Sequence, residues 1–393
     1  MGPIYLDHNA SAPLAPEVLE AMRPFWLAPG NPESRHSFGR HPRRAYEHAR
    51  ETIASILNAD TSEVIFTSGG TESNNLAIFG IAGDDRPAEV RHLVTSPIEH
   101  PAVSEAVDHL ETQGVVVDRA EVGQDGRVDP EAMANRLRPG STLATLILAQ
   151  NETGVLQNVQ GLAERARELG VPVHTDAVQA VGRVPVDFRQ LGVATLATSA
   201  HKFHGPAGVG VLLVRSDVSL TPRLFGGGQQ SGKRAGTPAV ALAVGMAEAL
   251  RLWHRDAEQR IDRWIRLRDR LESFLVAGLG RASVIRTGPE DAQDRLPQTL
   301  HLAFPNLDGD ALLMQLDLVG VAASLGSACA SGSTQPSATL MAMKVPEDRI
   351  RSSVRFSLGA TTTEEEIDEA ALRIIEVVRR IRSGDGELTQ GPT

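Results

Sequence analysis

Several residues at the ends of apolar runs are placed to do chemistry together. Lys202 closes Ser199-Ala200-His201-Lys202, directly after the run 194–198. An amine there can condense with an aldehyde to a Schiff base once desolvation or a nearby cation lowers its pKa. Taken alone, the string fits a surface lysine in a loop better, because such short strings recur by chance. Asp176 closes a second run, in His174-Thr175-Asp176-Ala177-Val178-Gln179. Open α/β sheets hold their ligands at strand ends of this kind. A pyridoxal ring needs a carboxylate beside its nitrogen in order to accept the electrons of a carbanion. A helix N-cap is an equally good use for the same aspartate.

Thr67-Ser68-Gly69-Gly70-Thr71-Glu72 leads from a strand through a Gly-Gly turn into a helix. Free amides at a helix start, with the positive end of its dipole, attract phosphate. The segment has neither the Gly-Lys-Ser/Thr of a nucleotide loop nor a dinucleotide Gly-x-Gly-x-x-Gly. Glu99-His100-Pro101 follows another strand-like run, and a flat imidazole there could stack on a ring and move protons. Phosphate turn, ring carboxylate and amine occurring in this chain order is far less expected by chance than any one of them.

The chain has one cysteine, Cys329, within Ser324-Leu-Gly-Ser-Ala-Cys-Ala-Ser-Gly-Ser-Thr-Gln-Pro336. A lone cysteine rules out an internal disulfide and a self-contained site built on several thiolates. A free cysteine is commonly a small buried apolar residue. These neighbours are small, polar and turn-forming, which favours an exposed, reactive thiol. Arg355 interrupts the apolar run 353–358 and needs a partner, either a substrate carboxylate held bidentately or an internal acid.

These residues have to be positioned by a scaffold. Strand-like runs at 63–67, 92–95, 115–122, 142–149, 171–175, 194–198 and 209–214 alternate with helical patterns at 72–79, 101–112 and 162–169. That alternation predicts an α/β fold with a mostly parallel sheet covered on both faces. A long helical region, 239–279, is expected to break once. Strands near 299–304 and 353–358, a helix near 310–318 and a final helix over 364–381 suggest a smaller α+β unit. Thr362 with Glu365 has capping-box spacing. The boundaries read from this are a large domain over 14–255, a small one from 1–13 and 256–382, and a polar tail over 383–393 expected to be disordered.

The 393 residues carry 39 Lys and Arg against 49 Asp and Glu, a net charge of −10. That balance argues against a nucleic-acid binder. Arg40, Arg43 and Arg44 read as a solvated helix start. No apolar run approaches the ~20 residues of a membrane helix, and the first residues lack the features of a signal peptide. A cytoplasmic protein without membrane contact is expected.

Taken together, the motifs resemble the cysteine desulfurases, class-V aminotransferase-like enzymes of pyridoxal-phosphate fold type I. The likeness runs nearly end to end. It is carried by Tyr5-Leu-Asp-His-Asn-Ala10, Phe66-Thr-Ser-Gly-Gly-Thr-Glu-Ser73, Glu99-His100, Asn151-Glu-Thr-Gly154, His174-Thr-Asp-Ala-Val-Gln179 and Ser199-Ala-His-Lys202. Gly226-Gly-Gly-Gln-Gln230, Arg234-Ala-Gly-Thr-Pro238 and Arg355-Phe-Ser-Leu-Gly359 extend it. The Ser327-Ala-Cys-Ala-Ser331 segment is similar to the long-loop, NifS/IscS-like group. Three departures stand out: Ser11-Ala12 where two threonines are frequent, Ala207 where lysine is common, and a short C-terminus without the extension that helps relatives dock a scaffold.

The resemblance implies a large domain with a seven-stranded sheet and a smaller α+β domain. It implies pyridoxal 5'-phosphate bound through Lys202, with Asp176 on the pyridine nitrogen, Gln179 on the ring hydroxyl and His100 stacked on the ring. Gly70, Thr71, Ser199 and His201 would hold the phosphate, and Thr237 would reach the phosphate of a neighbouring subunit in a homodimer. Asn151 and Arg355 would grip the substrate carboxylate. The implied reaction takes L-cysteine to L-alanine. Lys202 removes the α-proton, Cys329 attacks the substrate sulfur and keeps it as a persulfide, and an acceptor protein takes it on, such as an iron–sulfur scaffold or a thiolation carrier. The alternatives are a selenocysteine or cystine lyase of the same fold, and, less in keeping with Lys202 and Asp176, a non-catalytic binding module.

Overall fold

The computed structural model describes residues 2–28, 30–83, 91–325 and 336–383. Along the chain come β1 (Ile4–Tyr5), α1 (Pro16–Leu27), α2 (Ser37–Ile56), β2 (Val64–Thr67), α3 (Gly70–Ala82), β3 (His92–Thr95), α4 (Pro101–Thr112) and β4 (Val116–Arg119). Next are α5 (Pro130–Ala134), β5 (Leu143–Thr145), α6 (Val159–Glu168), β6 (Val173–Asp176), α7 (Phe188–Leu191), β7 (Thr195–Ser199) and β8 (Gly210–Val214). The remainder is α8 (Val240–Leu279), β9 (Ile285–Arg286), β10 (Thr299–Ala303), α9 (Gly309–Leu318), β11 (Val321–Ala322), α10 (Ala338–Ala342), α11 (Glu347–Arg351), β12 (Ser353–Ser357) and α12 (Glu364–Ser383).

Seven strands form one sheet in the order β2-β8-β7-β6-β5-β3-β4. Every residue of β6, β7 and β8 is buried, as strands covered on both faces require. All neighbours pair in parallel except β8, which runs antiparallel to both β7 and β2. The chain order reverses between β3 and β5, the kind of switch point that opens a crevice at the carboxyl ends of the strands. The sequence motifs end there: β2 enters the Gly-Gly turn, β3 leads to His100, β6 ends on Asp176 and β7 on Ser199.

The break expected in the long helix falls at Asp256 (φ −116°, ψ 16°). Before it Ala243, Met246, Ala247, Leu250 and Trp253 are buried, and after it Trp264, Leu267, Leu271 and Leu275. Each set repeats at helical spacing, and the kink lets one helix serve two stretches of core. Beyond it, β12, β10 and β9 form an antiparallel sheet. The residues alternate cleanly: Leu300, Leu302, Val354 and Phe356 enter the core, leaving Thr299, His301, Arg355 and Ser357 on the opposite face. β1 pairs in parallel with β11, Ile4 against Val321, so the first residues join the late part of the chain.

Several expectations need correction. The capping box of α12 is formed by Thr363 and Glu366, not Thr362 and Glu365: Thr363 N–H donates to Glu366 Oε2 at 2.9 Å and Glu366 N–H to Thr363 Oγ1 at 3.1 Å. Thr362 Oγ1 accepts instead from Gly359 N–H. Ser383, assigned to the tail, is the last residue of α12, and residues 384–393 lie outside the described residues. Helix α1 is not among the expected elements, and the helix start expected at Arg40, Arg43 and Arg44 lies in the early turns of α2. The run 142–149 is strand only over β5. No helix among the described residues is long and apolar enough to cross a membrane.

Candidate active site

The carboxyl ends of the strands surround a cavity of about 340 Å³. Of the residues singled out in the sequence, it gathers Gly70, Thr71, His100, Asn151, Asp176, Gln179, Ser199, His201, Lys202 and Arg355. Thr237 is exposed and outside this lining. Cys329 lies outside the described residues.

Asp176, 3% exposed, is fixed at both oxygens. Its Oδ1 accepts from Val178 N–H at 2.9 Å and its Oδ2 from Asn74 Nδ2 at 2.6 Å. Asn74 is oriented in turn by His174, whose Nε2 meets Asn74 Oδ1 at 3.0 Å and whose Nδ1 meets Thr195 Oγ1 at 2.8 Å. Complete burial presses the His174 pKa down to about 3, so the ring is neutral. Asn74 presents an acceptor to it, so Nε2 must carry the ring proton, and the Thr195 hydroxyl donates to Nδ1. The chain of donors therefore runs Thr195, His174, Asn74, Asp176.

Glu99 lies close behind, with Oε1 accepting from Ser96 Oγ at 2.7 Å and Ile147 N–H at 3.0 Å. Burial, reinforced by the charge of Asp176, pushes its pKa up to about 8. Glu99 therefore keeps its proton at neutral pH. His100 caps α4, its Nδ1 accepting from Ala102 N–H at 3.0 Å, which aims the rest of the ring at the cavity.

On the opposite side, Lys202 Nζ donates to the carbonyls of Asn9 at 2.7 Å and Ala10 at 2.9 Å. Asn9 is the hub of the site. Its carbonyl also receives Gln179 Nε2, its Nδ2 donates to Thr299 Oγ1 at 2.9 Å, and its N–H to Ser357 Oγ at 2.8 Å. Arg183, fully buried, ties this hub to the cavity floor through Asn9 Oδ1, Gln179 Oε1 and the carbonyls of His8 and Lys202. Burial and then the charge of Arg355 lower its pKa to about 9, which leaves it a cation at neutral pH.

Arg355, 2% exposed, has the internal acid expected as one of its two readings. Its Nη2 pairs with Asp7 Oδ1 at 2.8 Å and its Nη1 donates to the Asn151 carbonyl at 2.9 Å, while the residue still lines the cavity. The internal acid therefore aims the guanidinium and does not take it out of the site. Sequence reasoning assigned no role to Asn74, Asn9, Asp7, His174 or Arg183. Spacing held a signal for two of them. Asn74 stands one helical turn after Gly70, and Arg183 follows Gln179 at the same interval.

The residues present fit pyridoxal phosphate. The first amides of α3, at Gly70 and Thr71, have no carbonyl to meet within the helix, and Ser199 and His201 stand beside them on the cavity wall. A Cβ at Gly70 would meet Val178 Cγ2 at 2.7 Å, so any side chain there would have to displace Val178. Burial, with the charges of Lys202 and Arg183, lowers the His201 pKa to about 4, so its ring is neutral near pH 7.

Residues 4–370 match the family model described as aminotransferase class-V. The chain belongs to the class-V aminotransferase family. It is 42% identical over 384 residues to the cysteine desulfurase IscS of Dictyoglomus turgidum, covering 96% of each chain. It is 39% identical over 385 residues to the cysteine desulfurase NifS of Azotobacter vinelandii, covering 98% of this chain and 94% of that one. A solved NifS-like protein superposes with a TM-score of 0.88 at 32% identity, over 96% of this chain and 99% of that one. The chain is therefore a pyridoxal-phosphate-dependent cysteine desulfurase of the NifS/IscS type, with the α/β fold of that group.

Proposed function

We propose the following division of labour within the desulfurase reaction. Lys202 holds pyridoxal phosphate through Nζ, Asp176 pairs with its ring nitrogen, Gln179 faces its ring hydroxyl and His100 covers its face. Gly70, Thr71, Ser199 and His201 bind its phosphate. When bound, the cofactor supplies an aldehyde for the substrate amine and a ring that stores the electron pair released at Cα. Arg355 and Asn151 take the carboxylate of L-cysteine, and Lys202 Nζ, once freed, removes the α-proton. The Cys329 thiolate then attacks the substrate sulfur. A sulfur–sulfur bond forms, the carbon–sulfur bond breaks with its electron pair going to carbon, and L-alanine leaves a persulfide on Cys329.

One observation carries this reading: amine, carboxylate, imidazole, helix N-terminus and guanidinium converge on a single cavity from five separate segments. Borohydride reduction of the loaded protein followed by peptide mass analysis tests it. A pyridoxyl mass on the peptide containing Lys202 is expected, and its absence there would overturn the assignment.

The working form is a homodimer in which Thr237 completes the partner's phosphate site. The exposure of Thr237 outside its own cavity supports this, as does Phe225, 83% exposed on the same segment. Sedimentation of the loaded protein checks the assembly. The sulfur passes to an acceptor protein in the cytoplasm, of the iron–sulfur scaffold or thiolation-carrier kind.

A further inference from the structure

Strands β10 and β12 pair antiparallel with His301 directly opposite Arg355. Directly opposed residues project from the same face with Cβ atoms about 4.5–5.5 Å apart. That face carries Thr299 and Ser357 as well, and it looks toward Asn9, which bonds both of them. His301 is 1% exposed, and neither of its ring nitrogens meets a donor or acceptor among the described residues.

Arg355 has the complementary deficit. Its two Nη atoms are engaged by Asn151 and Asp7, while its Nε is buried with no acceptor among the described residues. Burial, and then the charge of Arg355, press the His301 pKa down to about 3. A neutral imidazole always offers one acceptor nitrogen. An unmet acceptor thus stands directly opposite an unmet donor, behind the group that faces the substrate. Buried polar groups left unmet are costly, so a pair of them needs a reason.

We infer that His301 is a positioning residue for Arg355, accepting the Nε–H in the substrate-bound enzyme so that the two Nη ends stay aimed at the carboxylate. The inference rests on the reading that Arg355 receives that carboxylate. Nothing in the reaction touches His301 itself. Its part is to fix the orientation of the fork, because bidentate recognition fails when the guanidinium plane rotates.

The test compares L-alanine with ethylamine, which is alanine without its carboxylate, as ligands of the loaded enzyme, followed by cofactor absorbance. The ratio of their dissociation constants isolates what the carboxylate contributes. His301→Phe and His301→Leu remove the acceptor, and both are expected to cut that ratio roughly tenfold, the scale of one hydrogen bond to a charged group. The KM for L-cysteine should rise in parallel with kcat within twofold. His301→Asn restores an acceptor and should recover most of the ratio. An unchanged ratio in the Phe and Leu variants, with Arg355→Gln abolishing it, would overturn the role of His301 and leave the carboxylate reading standing. Equal weakening of both ligands would show a merely structural residue and overturn it too. A normal ratio in Arg355→Gln would sink both.

Discussion

Asn74 Nδ2 lies 2.6 Å from Asp176 Oδ2, although the two residues are 102 positions apart and sit on different elements. The contact exists because α3 starts at the mouth of the cavity and its next turn passes beneath the end of β6. It holds the carboxylate in one orientation and supplies a donor that only the ionised form exploits fully.

Asn74→Ala removes that donor and leaves Asp176 and His174 each short of a partner. A hydrogen bond to a charged group is worth about 1.5–3 kcal/mol, so kcat should fall roughly tenfold or more. Steady-state assay, with cofactor absorbance to monitor loading, checks this. A kcat within twofold of the parent would refute it.

Arg355→Lys keeps the charge but loses the planar fork that Asp7 and Asn151 aim. Lysine does not reproduce bidentate recognition. The KM for L-cysteine is expected to rise roughly ten- to a hundredfold, with a much smaller change in kcat. A variant with the parent's KM would show that the carboxylate binds elsewhere.

Glu99 makes a prediction about stability. Its pKa is about 8 in the folded protein against an ordinary 4.5. Between those values the folded state holds a proton that the unfolded chain has released. Its share of stability is therefore greatest below the lower value and is lost as pH rises through the window. Glu99→Gln has no proton to lose, so its urea midpoint should gain on the parent's between about pH 5 and 8. Parallel profiles for the two proteins would count against a protonated Glu99.

Cys329→Ala should still bind L-cysteine, because the groups assigned to hold it are Arg355 and Asn151. It should form no persulfide and release no sulfur. Mass analysis of the parent after one turnover should show 32 Da added at Cys329 (about one sulfur atom, as thiol–persulfide chemistry requires). Full sulfide release by the variant would remove Cys329 from the mechanism.

Arg183→Met removes the donor that meets the buried His8 and Lys202 carbonyls, while Asn9 Oδ1 keeps Gln298 Nε2. A buried acceptor left unmet costs about 1–3 kcal/mol, and the melting temperature should drop by several degrees. Calorimetry of the two proteins measures the difference, and an unchanged transition would show that the network carries no stability.

Much of the fold was legible because strands and helices here announce their ends. Strand 92–95 and helix 101–112 were read with their observed bounds, since an apolar run stops at Ser96 and Pro101 occupies the first helical turn. Helix α2 is read only as a start at Arg40, Arg43 and Arg44, because its apolar stripe is thin. Tyr46, Ala49 and Ile53 are spread among arginines, histidines and glutamates. The cap of α12 was misplaced by one residue because three threonines precede three glutamates, and several pairings have the same spacing. Burial of Ile367 sets which pairing the helix uses.

The motif residues of the site were legible for the same reason, as polar residues at the ends of apolar strands. Their supports were not. Asn9 meets Ser357, Thr299 and Arg183 only after folding, and no local pattern marks an asparagine that will contact three distant segments. The pairing of Asp7 with Arg355 was hidden likewise, although an internal acid had been weighed for that arginine.

The arrangement around Asn9 also bears on how the newborn chain matures. Ser357 follows Asn9 by 348 positions, so the two leave the ribosome far apart in time. At about 5–20 residues per second, that is a wait of roughly 20–70 s before the two can meet. Throughout that interval Lys202 can be made and its strand can join the sheet, with Gln179 and Arg183 already able to hold Asn9, but the hydrogen bond from Asn9 N–H to Ser357 is still missing. The cofactor site is therefore completed only after Ser357 has been translated.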